Sequence, residues 1–174
     1  MFRARFLALL FTTAFCAGCG TGTATSVGEP QKPSADAAKY YLAEEPAGAK
    51  SVIELKSSAK DGEEITLVGR IGGSATPFVA GRASFTVVDT TFVPCNERPG
   101  DTCEVPWDYC CDTDRLPSGT ATVKIVDAEG STLAKDAKQD LALKELQTVV
   151  IKGKAKRDEA GNLIVLAPAV FVKK

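Results

Sequence analysis

Apolar and polar side chains alternate with a period of two in four separated segments of this chain, with a fifth, continuously apolar run near its end, and no other feature constrains its fold as strongly. In residues 64–72, Ile65, Leu67, Gly69 and Ile71 share one face while Thr66, Val68 and Arg70 take the other. In 82–88, Ala83, Phe85 and Val87 alternate with Ser84, Thr86 and Val88; in 120–126, Ala121, Val123 and Ile125 alternate with Thr122, Lys124 and Val126. Residues 148–156 set Val149, Ile151, Gly153 and Ala155 against Val150, Lys152 and Lys154, and a fifth run covers 163–172. Period two is the signature of a half-buried strand, because successive side chains of a strand point to opposite faces. The expectation is an all-β domain. Asp61-Gly62, Asp127-Ala128-Glu129-Gly130 and Asp158-Glu159-Ala160-Gly161 supply turns around these strands. Pro168 removes a ladder donor, so its part of the fifth strand is expected at an edge or a bulge. Residues 131–146, with Leu141, Leu143 and Leu146, read as a loop with a helical turn. Val52, Ile53 and Leu55 suit one turn of helix ahead of the first strand.

Five strands, a glycine inside the first, and a third-to-fourth connection longer than a hairpin resemble the OB fold. The segments EITLVGRIGG and LQTVVIKGKAKRDEAGNLIVLAPAVFV carry the resemblance. It implies a small five-stranded OB-like Greek-key barrel over residues 49–174, with a cysteine-rich insertion between strands two and three and short N-terminal helical segments. Gly69 and Gly153 are expected where a strand bends to close the barrel. A β-sandwich would call for about seven strands. The fold does not fix a function, since OB barrels bind oligonucleotides, sugars and proteins alike.

The first residues read as a targeting segment. Arg3 and Arg5 precede a largely apolar run over residues 6–15, too short to span a bilayer as a helix. Cys16-Ala17-Gly18-Cys19 follows. Small residues before a cysteine resemble the lipobox of bacterial lipoprotein signal peptides, with Cys16 where that family usually has Leu. The resemblance implies removal of residues 1–18, acylation of Cys19, and a chain exported and lipid-anchored in the bacterial cell envelope. More than one acyl chain makes such an anchor firm. Gly20 rather than Asp after the cysteine favours the outer membrane, facing the periplasm. Residues 19–48 are then a tether: 20–34 are rich in Gly, Thr, Ser and Pro and too polar to pack. Residues 35–44 have the composition of a short helix, with Tyr40, Tyr41 and Leu42 able to dock on the domain.

Export sets the redox context of Cys95, Cys103, Cys110 and Cys111, which lie in residues 89–118 with the spacing C-x7-C-x6-C-C. A connection this long in a compact domain is either functional or held by cross-links. In an oxidising compartment the first expectation is two disulfides, with Cys95 and Cys103 each reaching one of the adjacent pair, because neighbouring cysteines bond to each other only in strained geometry. The alternatives are a four-thiolate site for zinc or an iron–sulfur cluster, although no C-x2-C knuckle is present, and a redox-active pair. Asp101, Glu104, Asp108, Asp112 and Asp114 make the segment acidic; they lack the spacing of a calcium-binding hand and read as solvated acids. Trp107, Asp108 and Tyr109 are a candidate binding patch, with Trp107 as the miniature core of its loop the competing reading.

Composition narrows the function classes. The chain has no histidine, the commonest general base, and no G-x-S-x-G, H-E-x-x-H or phosphate-binding glycine loop. Removing residues 1–18 takes away Arg3 and Arg5 and no acid, leaving 19 basic against 22 acidic side chains, a net charge of −3. That balance argues against nucleic acid, although Arg70, Arg82, Lys124, Lys152, Lys154, Lys156 and Arg157 offer a basic stripe and Phe78, Phe85 and Phe92 offer stacking rings. The expected function is a non-enzymatic binding or envelope-structural module that presents the cysteine loop to a protein or glycan partner. Redox or metal handling by the loop, and single-stranded nucleic-acid or oligosaccharide binding by the barrel, are the alternatives.

Overall fold

The computed structural model describes Pro33 and residues 35–174; the expected signal, Cys19 and most of the tether lie outside the described residues. Each of the five segments becomes a strand with one apolar face inward. They are β2 (Glu64–Ile71), β3 (Ser84–Val88), β4 (Thr120–Ile125), β5 (Thr148–Arg157) and β6 (Leu163–Ala167), with two-residue strands β1 (Lys50–Ser51) and β7 (Phe171–Val172) added. In β2, Ile65, Leu67, Gly69 and Ile71 are buried, and the residues between them are not. The sheet runs β2-β3-β4-β6-β5 and closes because β5 also pairs with β2. All of these pairings are antiparallel except β4 with β6, which is parallel. The result is a closed five-stranded OB-like Greek-key barrel.

Closure requires β5 to serve two neighbours. Its first part pairs with β2, from Thr148 opposite Arg70 to Lys154 opposite Glu64. Its last part pairs with β6, from Lys154 opposite Leu166 to Arg157 opposite Leu163. Gly153 sits at this handover, and a Cβ there would lie 2.3 Å from the Leu166 carbonyl oxygen. Only glycine permits that backbone approach. The inward side chains of all five strands form one core that includes Leu67, Phe85, Val123, Ile151 and Val165.

Two irregular segments complete this core. Helix α1 (Val52–Ser58) buries Val52 and Leu55, and Arg157 donates to the carbonyls of Leu55, Lys56 and Ala59 at its C-terminal end, where a cation is favourable. The loop expected in 131–146 forms with a single helical turn, closed by the Asp140 N–H on the Asp136 carbonyl at 2.8 Å. The Asp136 carboxylate accepts N–H bonds from Gly81, Lys138 and Gln139, and the folded-back loop inserts Leu141 and Leu143 as fully buried plugs. The helix expected in 35–44 is reduced to a 3-10 turn, Ala38–Tyr40, because the following backbone is used elsewhere: Tyr41 bridges Val170, and the Leu42 N–H donates to the Val170 carbonyl at 2.9 Å. Ala37, Tyr40 and Tyr41 thereby pack on the barrel. Strand pairing breaks at Pro168, as expected, before β7 rejoins β5. No helix of the described residues is long and apolar enough to cross a membrane.

Barrel closure at Gly153 gives a direct test. Gly153→Ala is expected to destabilise the fold by about 3 kcal/mol, the upper part of the overpacking range, while Lys156→Ala, exposed on the same strand, stays within roughly 0.5 kcal/mol. Urea unfolding followed by far-UV circular dichroism measures both.

Candidate functional site

Residues 89–118 leave β3 and return into β4, and their first residue fastens them to the barrel. Asp89 is fully buried. One carboxylate oxygen accepts from the Ile53 N–H at 2.9 Å in the first turn of α1; the other accepts from the Thr91 N–H and hydroxyl at 3.0 and 2.8 Å. Burial opposes the charge, yet these donors prevail and hold the Asp89 carboxyl below its ordinary value of 3.8. Its own N–H donates to the Gly119 carbonyl, so the start and finish of the loop are tied together.

Within the loop a second, smaller core forms, and its centre is Tyr109. The Tyr109 ring is fully buried with Val88 and Phe92, and Leu116 and Leu146 pack against them. Phe92 meets Tyr109 edge to face with centroids 6.3 Å apart, and the Arg115 guanidinium stands 4.6 Å from the Phe92 centroid. Tyr109 has φ 58°, in the left-handed region, where it separates the 3-10 turns Pro106–Asp108 and Cys110–Asp112. Packing of the ring holds this uncommon backbone in place. The loop closes on Gly72, where a Cβ would come within 2.6 Å of the Trp107 carbonyl oxygen, while the Gly73 N–H donates to that oxygen at 2.8 Å and the Trp107 indole N–H donates to the Ala75 carbonyl.

This arrangement corrects the expected patch of Trp107, Asp108 and Tyr109. Tyr109 is the core of the loop and offers no surface, Trp107 is half-buried, and the Asp108 carboxylate accepts from the Cys110 N–H at 2.9 Å. The Tyr109 hydroxyl is buried and has no hydrogen-bond partner among the described residues. Burial pushes the phenol up to about 12, with Arg70 opposing and Glu97 and Cys95 adding to the rise, so the group stays protonated.

The fold brings the four cysteines together from three parts of the loop, and they remain free thiols; the expected disulfides do not form among the described residues. Cys95 is buried at the start of the 3-10 turn Cys95–Glu97, Cys103 is half-buried, and Cys110 and Cys111 are exposed. Cys110 Sγ is the common vertex, 3.6 Å from Cys95 Sγ and 3.9 Å from Cys103 Sγ. Asp108 Oδ1 is 4.0 Å from Cys95 Sγ, and the four donor atoms of Cys95, Cys103, Asp108 and Cys110 all lie within 4.8 Å of one another. Cys111 turns to Asp101 Oδ2 at 3.8 Å, and Asp101 also accepts from the Cys103 N–H at 2.7 Å. Hydrogen bonding with the Cys95 and Cys103 thiols holds the Cys110 thiol well above its ordinary value. Such a nest of donors suits a soft cation or thiol oxidation.

Several acids expected to be solvated are structural instead. Asp112 accepts from Arg98 and pairs with Arg115, and Asp101 and Asp108 fix backbone turns; Glu104 and Asp114 are exposed, and Glu97, outside that set, pairs with Arg70 at 2.8 Å. The candidate nucleic-acid surface loses Phe85 and Phe92 to the cores, Arg70 to Glu97, and Arg157 to α1. A separate groove of about 620 Å³ opens on the barrel, with Leu42, Pro46, Val126 and Pro168 among its apolar walls and Glu44, Glu64, Lys152 and Lys154 among its charged residues. No residue of 89–118 lines it. Comparison with known proteins found no matching family model, no matching curated protein and no matching solved structure.

Asp89→Ala leaves the Ile53 and Thr91 donors without their acceptor and is expected to cost about 2–3 kcal/mol at neutral pH. Folding lowers the Asp89 pKa, so its contribution is complete above about pH 5 and is lost as pH falls through the folded value. The stability gap between wild type and D89A therefore narrows on acidification below 3.8. Thermal unfolding at a series of pH values checks the sign, and a gap that widens in acid contradicts this account of the charge.

Proposed function

We propose that this chain is an exported, lipid-anchored module of the bacterial cell envelope that works by binding rather than by catalysis. Cleavage before Cys19 removes residues 1–18, acyl groups on Cys19 hold the chain to a membrane, the outer one facing the periplasm, and the segment after it is the tether. The barrel is a rigid scaffold, and residues 89–118 are the working element presented to an envelope protein or glycan. One observation carries the choice of that element: the loop has a core of its own, around Tyr109 and Phe92, and is fixed to the barrel at Asp89 and Trp107. Ordered loops on rigid scaffolds are where binding residues concentrate. The targeting segment supports export, and a chain without histidine or a recognised nucleophile motif supports a non-enzymatic role.

Metal or redox handling has its own specific support, the convergence of the Cys95, Cys103 and Cys110 thiols. Oligosaccharide binding by the barrel draws on the groove, whose size falls in the usual range for small-ligand sites.

Anchoring and loop presentation have separate tests. Wild-type protein expressed in a bacterial host is expected to take up labelled palmitate and to fractionate with membranes, and C19S to lose both. A wild type that stays unlabelled among cytosolic markers overturns the anchoring. Photo-crosslinking in intact envelopes is expected to trap a partner from exposed position Glu104 in the loop but not from Glu129 in the turn after β4. Equal crosslinking from both positions, or none from Glu104, overturns the role of the loop.

A further inference from the structure

We propose that Cys95, Cys103 and Cys110, completed by Asp108, form a site for one thiophilic divalent cation of the zinc class. The inference rests on residues 89–118 being the working element and names its ligand.

Distance separates the two fates open to these sulfurs. A disulfide brings two sulfurs to about 2.05 Å and joins them only in pairs. A tetrahedral cation with bonds of about 2.3 Å to thiolates holds any two of them about 3.8 Å apart, three at a time. Cys110 Sγ stands 3.6 Å from one neighbour and 3.9 Å from the other, on either side of the tetrahedral edge. A shared vertex with two such edges suits coordination, in which Cys110 engages both neighbours at once; a disulfide at Cys110 takes only one of them and leaves the other to pair elsewhere, as Cys95 could with Cys111. The fourth donor is Asp108 Oδ1, aimed toward Cys95 Sγ at 4.0 Å and held by the Cys110 N–H.

The donor chemistry selects the cation. Three sulfurs and one oxygen are a poor set for calcium or magnesium, which take oxygen ligands. They suit zinc and its soft neighbours. The spacing C-x7-C-x6-C hides this in the sequence, because no pair of ligands shares a knuckle; the turns on either side of Tyr109 bring them together. Those turns are braced in advance: the Tyr109 ring is locked in the loop core, and the Arg98 N–H closes the Cys95 turn on the Cys95 carbonyl at 3.0 Å. Binding replaces the three thiol protons, which leave to solvent, so affinity rises with pH. Cys111 turns to Asp101, and these two with Cys95 make a second group of donors within 4.8 Å; the four-donor set, with three sulfurs, is the one assigned to the cation.

The test uses the full chain, reduced, stripped with a chelator and kept free of oxygen. Titration with zinc is expected to saturate at one equivalent with release of protons, and cobalt(II) as the spectroscopic probe to give thiolate charge-transfer absorption and the visible bands of a tetrahedral ion. C103S and C110S, at accessible positions, are expected to weaken zinc binding by more than the roughly 10–100-fold that loss of an outer-shell partner costs, D108N to weaken it, and C111S to leave it unchanged. Circular dichroism of each stripped variant separates lost binding from lost folding. Absence of saturable zinc binding, an octahedral oxygen-type cobalt spectrum, binding that survives C103S and C110S, or loss of binding in C111S equal to theirs would each overturn the site. Titration requires no membrane or partner, so its failure is distinct from a failure of palmitate labelling or crosslinking.

Discussion

The seam between β2 and β5 is the contact on which the rest of the structure depends. Residues 64–70 pair with 148–154 across about half the length of the chain, and this pairing turns an open sheet with two exposed edges into a closed barrel. Bringing such distant segments together has a loop-closure cost that only burial on both strands offsets. Leu67 and Ile151, opposite each other in the ladder and fully buried, are part of that offset. The loop inherits its rigidity from the same seam. β2 ends at Ile71, directly before the glycines that receive Trp107, and Ile71 exchanges backbone bonds with Leu146 and Gln147 just ahead of β5. β3, paired with that end of β2, delivers Asp89. The loop is therefore fixed to the ends of two neighbouring strands.

Electrostatics inside residues 89–118 act on shape more than on gross stability. Arg98, Asp112 and Arg115 form a shared ion pair, and Arg70 reaches from β2 to Glu97. Exposed pairs of this kind contribute little individually. Their placement matters because the pairs of Arg70 with Glu97 and of Arg98 with Asp112 join segments that lie far apart in sequence. Arg70 bridges barrel and loop, and Arg98 connects the turn bearing Cys95 with the turn bearing Cys110. Asp89 differs in kind: buried, and supplied with backbone donors from two elements, it is costly to lose because its partners would be left unpaired.

Most strands were legible in the sequence because a barrel with one buried face writes a period of two into them, β6 only as a continuous apolar run, and Gly153 was legible because closure forbids a side chain there. What escaped has no period to read. Leu141 and Leu143 plug the core from an irregular turn organised by Asp136, and Tyr41 pairs with Val170, a contact that no local pattern announces. In the loop, the cysteines and aromatics identified the segment but not its interior. Tyr109, not Trp107, became the core because a left-handed residue between two 3-10 turns points its ring inward, and a sequence pattern carries no such reversal. The free state of the thiols was equally hidden, since an even count of cysteines in a chain expected to be exported favours pairing by arithmetic alone.

Coordination and oxidation compete for the same sulfur atoms, and the compartment expected for this chain favours the oxidant. Closing Cys95 onto Cys110 requires the two sulfurs to approach by roughly 1.5 Å from 3.6 Å. The Cys95 side chain is buried, and its turn is tied down by Arg98, so much of that motion falls to Cys110. Cys110 in turn is covalently next to Tyr109, whose ring cannot swing without opening the loop core. Oxidation of this pair therefore works against the packing of Tyr109, whereas a cation of tetrahedral radius meets the sulfurs near where they already stand. A bound cation would also engage the thiolates that an oxidant attacks, so coordination protects the arrangement that makes it favourable. The preference for metal over disulfide then resides in the rigidity of the small aromatic core beneath the cysteines, not in the cysteines themselves.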